Sequence, residues 1–227
     1  GSRLAMIQAE QVMILLQSAC PELSVEISVI TTEGDQDRNK PLSSFGGRGA
    51  FVAQIEKALL KGDIDIAVHS LKDLPSTVPD GLMLGAVPAR EVPGDVLAAS
   101  GGHTLDTLPP GSIVGTGSDR RKIQLRRKRP DLEFKLIRGN IETRLAKCER
   151  GEYDAVVLAH AALERLGLTS AVTQVFTFDE CLPAPCQGAI GIECRNDDYD
   201  IIACLQKVEN QEVRMCVDAE RPFIATL

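Results

Sequence analysis

The sequence predicts an α/β protein of two lobes joined by two chain crossings, followed by the start of a small α+β third domain. Segments with helical apolar spacing alternate with short apolar runs along most of the 227 residues, the pattern of strands covered by helices. Two strand-to-helix turns, GTGSDRR and IRGNIETR, repeat one design, with glycine at the turn and arginine beside it. LPAPCQGAIGIECR, at 182–195, places two prolines before a small-residue turn and reads as an extended crossing that leads back into a strand. On that reading the first lobe comprises 1–90 and 189–207, the second 94–184, and 211–227 begins the third domain, with a cleft between the lobes.

Leu4, Ile7, Val12, Leu15 and Leu16 keep helical spacing until Pro21 closes the segment. Val25, Ile27 and Val29 alternate through SVEISVI, which predicts a strand over 24–30 with one face buried. The polar stretch from Thr31 to Pro41 reads as a loop, and SFGGRGAF is expected to lead into a helix over 50–60. IDIAV (64–68), SIVG (112–115), FKLI (134–137) and AVVLA (155–159) read as strands, and a helix follows each of the last three. That order predicts largely parallel sheets covered on both faces.

A net charge of −7 speaks against a nucleic-acid or anionic-membrane partner, and no stretch is long and apolar enough to span a bilayer. The opening GSRLAMIQAE has no signal-peptide layout, so the expected location is the cytosol, or a plastid had a transit segment been removed. The seven cysteines form no C-x-x-C pair and no cluster with histidine, so no metal site is expected and reduced thiols are.

The positive charge is concentrated. DRRKIQLRRKRP (119–130) is densely basic, with Arg138 and Arg144 close behind. Arg126, Arg127 and Arg129 fit a solvated helix face. Arg120, Arg121, Arg138 and Arg144 sit at turns where a helix start already favours anions, with Thr116 and Ser118 in the first turn and Gly139 in the second. Several guanidinium forks together suit a ligand with many carboxylates. Arg48 and Phe51 border a glycine-rich segment that reads either as a plain turn and cap or as a lid. In IAVHSLKDLP a strand ends at His69, Ser70, Lys72 and Asp73, which is either an ordinary polar loop or a carboxylate placed for proton transfer beside an anion-binding lysine.

Taken in order, HSLKDLP, GTGSDRR, IRGNIETRL, GEYDAVVLAHAALERLGL, LPAPCQGAIGIECR and AER resemble the porphobilinogen deaminase (hydroxymethylbilane synthase) family over essentially the whole chain. The resemblance implies a two-lobed fold like that of periplasmic binding proteins. It implies a transferase of haem biosynthesis that joins four porphobilinogen units with loss of ammonia, extending a covalent dipyrromethane primer. Asp73 then corresponds to the catalytic aspartate. His69, Ser70, Lys72, Thr116, Ser118, Arg120, Arg121, Arg138, Gly139, Arg144, Gln187, Arg48 and Phe51 correspond to substrate- or cofactor-binding positions. The primer cysteine is expected beyond residue 227, which makes this stretch alone inactive, and the enzyme is expected to be monomeric. A non-catalytic two-lobed binder of polycarboxylates or small anions is the alternative.

Overall fold

A computed structural model describes residues 2–30 and 49–225, with backbone alone at 49–51 and 224–225. The chain divides into two compact units, 1–90 with 189–227 and 91–188.

Unit 1 begins with α1 (Arg3–Ala19), started by Ser2, whose side chain accepts from the Ala5 N–H. Gln8, Val12 and Leu16 recur every fourth residue and are its buried face. Residues 24–30 lie outside any helix or strand, contrary to the alternating pattern. Val25 packs on the core while Val29 is exposed, and no described strand pairs with the segment. Alternation marks a face, but a strand also requires a neighbour for its backbone groups.

After α2 (Gly49–Lys61), β1 (Ile66–Ser70) runs two residues further than the apolar run suggests, through His69 and Ser70. A single 3-10 turn (Leu71–Asp73) follows. β2 (Leu82–Ala86) comes next, and β8 (Ile190–Arg195) returns from the second unit to lie between β1 and β2, antiparallel to both. The expectation of largely parallel sheets therefore fails in this unit: a returning chain inserts β8 in the centre, running against its neighbours. The unit closes with α6 (Tyr199–Gln206) and α7 (Gln211–Ala225). Arg221 of α7 donates to the carbonyls of Pro75 and Ser76, and Arg90 forms an ion pair with Glu220.

Unit 2 holds a five-stranded sheet in the order β5-β4-β6-β3-β7. β4 (Ile113–Gly115) pairs in parallel with β5 (Glu133–Lys135) and β6 (Ala155–Ala159). β3 (Asp95–Ala99) runs antiparallel to β6 and to β7 (Gln174–Val175). The helices α3 (Asp119–Lys128), α4 (Ile141–Glu149) and α5 (His160–Leu166) follow β4, β5 and β6 in turn. All five residues of β6 are buried, as befits a central strand covered on both faces.

Candidate active site

In unit 1 the candidate residues fall on the end of β1 and the turn after it. Leu71 and Leu74 are buried and clamp the turn at both ends, leaving Lys72 half-buried and Asp73 exposed. Asp73 has no hydrogen-bond or ion-pair partner among the described residues. The residues before it are firmly held. Ser70 and the buried Gln8 exchange hydrogen bonds of 2.8 and 3.0 Å, and the Leu71 N–H donates to the Ala189 carbonyl at 3.0 Å. The Leu71 side chain lies over Gly191, where an added Cβ would stand 2.6 Å from Leu71 Cδ1, so a larger residue there would force this leucine to shift. His69 is buried and its Nε2 lies 2.8 Å from Glu193 Oε2. The turn thus presents a bare carboxylate on rigid support, the arrangement a proton-transfer group requires.

In unit 2 the turn between β4 and α3 is built from its own hydroxyls. Thr116 Oγ1 accepts from the Ser118 N–H at 3.2 Å, and Ser118 caps α3 by accepting from the Arg121 N–H at 3.4 Å. Asp119 is exposed in the first helical turn, where a carboxylate suits the helix dipole. Arg120 and Arg121 turn inward to one buried carboxylate, Asp95. Arg120 Nη2 donates to Asp95 Oδ2 at 2.8 Å, and Arg121 Nη2 donates to Oδ1 at 2.6 Å. Gln187, itself buried, donates to Oδ1 at 2.8 Å and also reaches the Pro93 and Gly94 carbonyls. Burial opposes ionisation of Asp95, but the charge and hydrogen bond of Arg121, then Arg120 and Gln187, outweigh it and hold the carboxyl below its ordinary range.

The second turn adds Arg138, Gly139 and Arg144. Gly139 has φ +117°, and an added Cβ would meet Thr143 Cγ2 at 2.7 Å, so this corner requires glycine. Asn140 caps α4 by accepting from the Thr143 N–H at 2.8 Å. Arg138 is exposed and its carbonyl accepts from Lys147 Nζ at 3.3 Å. Arg144 donates through Nε to the Gly139 carbonyl at 2.8 Å. Burial first, then the Arg121 charge, lowers its pKa. Arg121 Nε is buried without a hydrogen-bond partner among the described residues. A neighbouring pair of cations with an orphaned buried donor fits a carboxylate-bearing ligand.

Arg48 lies outside the described residues, as does the side chain of Phe51, whose backbone is in α2. Sequence reasoning overlooked Gln8, Asp95, Glu193 and Arg165. Each acid has a visible signal, a lone carboxylate opening or interrupting an apolar strand, in GDVLAA and AIGIEC. Arg165 donates to the Gly188 carbonyl at 2.8 Å, and its buried Nε has no partner among the described residues.

Of the seven cysteines, five are buried, Cys204 is half-buried and Cys216 is exposed. Burial, then the Asp95 charge, pushes the Cys181 thiol up to about 11. Burial first, then Asp198, does the same for Cys194, also up to about 11. Neither is suited to act as a thiolate at neutral pH. Among the described residues no group of three or more His, Cys, Asp or Glu could hold a metal ion, and no helix is long and apolar enough to cross a membrane.

The fold is that of a two-lobed α/β protein, with arginine-bearing strand-to-helix turns in unit 2 and the exposed carboxylate of Asp73 in unit 1. A solved lipoprotein of Bacillus subtilis, assigned to methionine binding, shares this fold with a TM-score of 0.51 and 14% identity, over 89% of this chain and 87% of its own. A family model described as "Porphobilinogen deaminase, dipyromethane cofactor binding domain" matches residues 1–203. Porphobilinogen deaminases of Staphylococcus aureus strains RF122 and JH9 are each 48% identical over 227 residues, covering 100% of this chain and 74% of theirs. The chain belongs to the porphobilinogen deaminase family.

Proposed function

We propose that this chain carries the catalytic and binding lobes of a deaminating transferase that joins four porphobilinogen units head to tail, releasing one ammonia for each and taking up one water at product release, to give hydroxymethylbilane. The observation that carries the reading is Asp73: an exposed carboxylate with no partner among the described residues, on a turn held from behind, in a family defined by this reaction. In each step the aminomethyl C–N bond of porphobilinogen breaks and ammonia leaves, so positive charge develops on the pyrrole methylene. Asp73 is placed to stabilise that charge and to move protons at the pyrrole N–H and the departing nitrogen. The nucleophile is the α-carbon of the growing pyrrole chain, which forms the new C–C bond and then loses its proton.

The dipyrromethane cofactor supplies the first pyrrole end to be extended. Within unit 2 the donors fit it, because Arg121 and Arg144 offer cationic partners for acetate and propionate groups and Arg121 Nε and Arg144 are desolvated; in unit 1 Lys72 is assigned the same chemistry by itself. Arg120, Arg138, Thr116, Ser118 and Gly139 line the same turns and are assigned to carboxylate binding with them. His69, Ser70 and Gln187 hold the supporting structure. In our reading the lobes correspond to 1–90 with 189–207 and to 94–184, residues from 211 begin a third domain, and the enzyme is a cytoplasmic monomer.

The test is stoichiometry. The holoenzyme should consume porphobilinogen and release ammonia one for one, with one hydroxymethylbilane per four substrates. Tight binding of porphobilinogen without ammonia release would instead identify a polycarboxylate binder.

A further inference from the structure

Glu193 is fully buried in the middle of β8, in an apolar face of the unit 1 sheet. Across the ladder it stands opposite Ala67 of β1 and Leu84 of β2. A carboxylate there loses its water and gains nothing from those neighbours, so an apolar residue would serve packing better. What it has is His69, two residues along β1 on the same face, with Nε2 at 2.8 Å and a side chain only 7% exposed. The approach is close but not aligned as a hydrogen bond: His69 Nε2 and both Glu193 oxygens lack an aligned partner among the described residues. Glu56 of α2 feels both charges. Burial raises its pKa first, the Glu193 charge adds to this, and His69 opposes it.

The pair sits at the root of the Asp73 turn. His69 is followed at once by Ser70, fixed by Gln8, and Leu71, fixed by Ala189 and seated over Gly191. Gly191 is the ladder partner of His69 itself, so the imidazole and the leucine seat share one cross-strand position. A movement of His69 would carry the turn with it. We propose that Glu193 is a positioning residue for the deamination step: by holding His69 at the end of β1 it sets the place of Asp73, and His69 does not itself touch substrate. This rests on the function proposed above and adds a residue to it.

The test is a double-mutant cycle in the holoenzyme, with Glu193→Gln, Asp73→Asn and both together, reading kcat and KM for porphobilinogen. Glu193→Gln is expected to lower kcat about tenfold with KM within about twofold of wild type, and to cost less than about twofold when Asp73 is already Asn. An equal loss in both backgrounds would overturn the proposal, as would a raised KM at unchanged kcat, which would make His69 a substrate contact. Should Glu193→Gln not fold, the paired Glu193→Gln/His69→Gln variant, whose two amides can hydrogen-bond, carries the same cycle and the same criteria. A wild-type holoenzyme that releases no ammonia strikes the proposed function. An active wild type with either contrary pattern strikes this inference alone.

Discussion

Asp73 and Asp95 are both lone aspartates at strand ends, one just past β1 and the other opening β3. Asp73 is exposed, with no partner among the described residues. Asp95 is fully buried and accepts from Arg120, Arg121 and Gln187, with the Cys181 thiol 3.5 Å away. The difference separates two uses of charge. A reacting carboxylate must be free to meet its substrate, so the protein fixes the backbone behind it and leaves the side chain bare. A binding guanidinium must be held in a set direction, and an internal counter-ion does this while compensating its burial.

The largest effect should come from the bare member of the pair. Asp73→Asn is expected to lower kcat by about 10²- to 10⁴-fold, the range for losing a positioned proton-transfer group, without lowering the melting temperature. Steady-state kinetics with a thermal melt checks both. Asp95→Ala should behave in the opposite way, because the buried Arg121 and the half-buried Arg120 lose their counter-ion: about 3–5 kcal/mol of stability goes, read by chemical denaturation. The same contact has a pH signature. The folded pKa of Asp95 lies below its ordinary value of 3.8, so its contribution is complete well above pH 3.8 and is lost as pH falls through the folded value. An acid titration of stability should lose that limb in Asp95→Asn.

Arg144→Gln tests the binding side more gently. Its guanidinium is desolvated and feels the Arg121 charge, and its loss should raise KM for porphobilinogen about tenfold with kcat little changed, as for removal of one charged hydrogen bond. The smallest effect is expected at Gln8→Ala, which removes the pair of hydrogen bonds to Ser70 and should cost about 1 kcal/mol in a denaturant melt.

The motifs were legible because their chemistry is local. The capping Ser118 and Asn140, the glycine corner at 139 and the strand that ends at HSLKD all depend on residues a few positions apart. The supporting partners were not legible, because they arrive from far along the chain. Gln8 meets Ser70 from 62 residues away, and Gln187 meets Asp95 from 92. The antiparallel sheet of unit 1 was hidden for the same reason, since nothing within IGIEC reveals that it will lie between β1 and β2. Residues 24–30 show the converse error, an alternating pattern with no described neighbour to make it a strand.

The most direct test of the separation between reacting and binding groups is a single turnover of Asp73→Asn holoenzyme with porphobilinogen, following substrate binding and ammonia release in the same sample. The account predicts binding within about threefold of wild type and ammonia release slower by about 10²-fold or more. Ammonia release at the wild-type rate would contradict it, and so would a variant that no longer binds porphobilinogen.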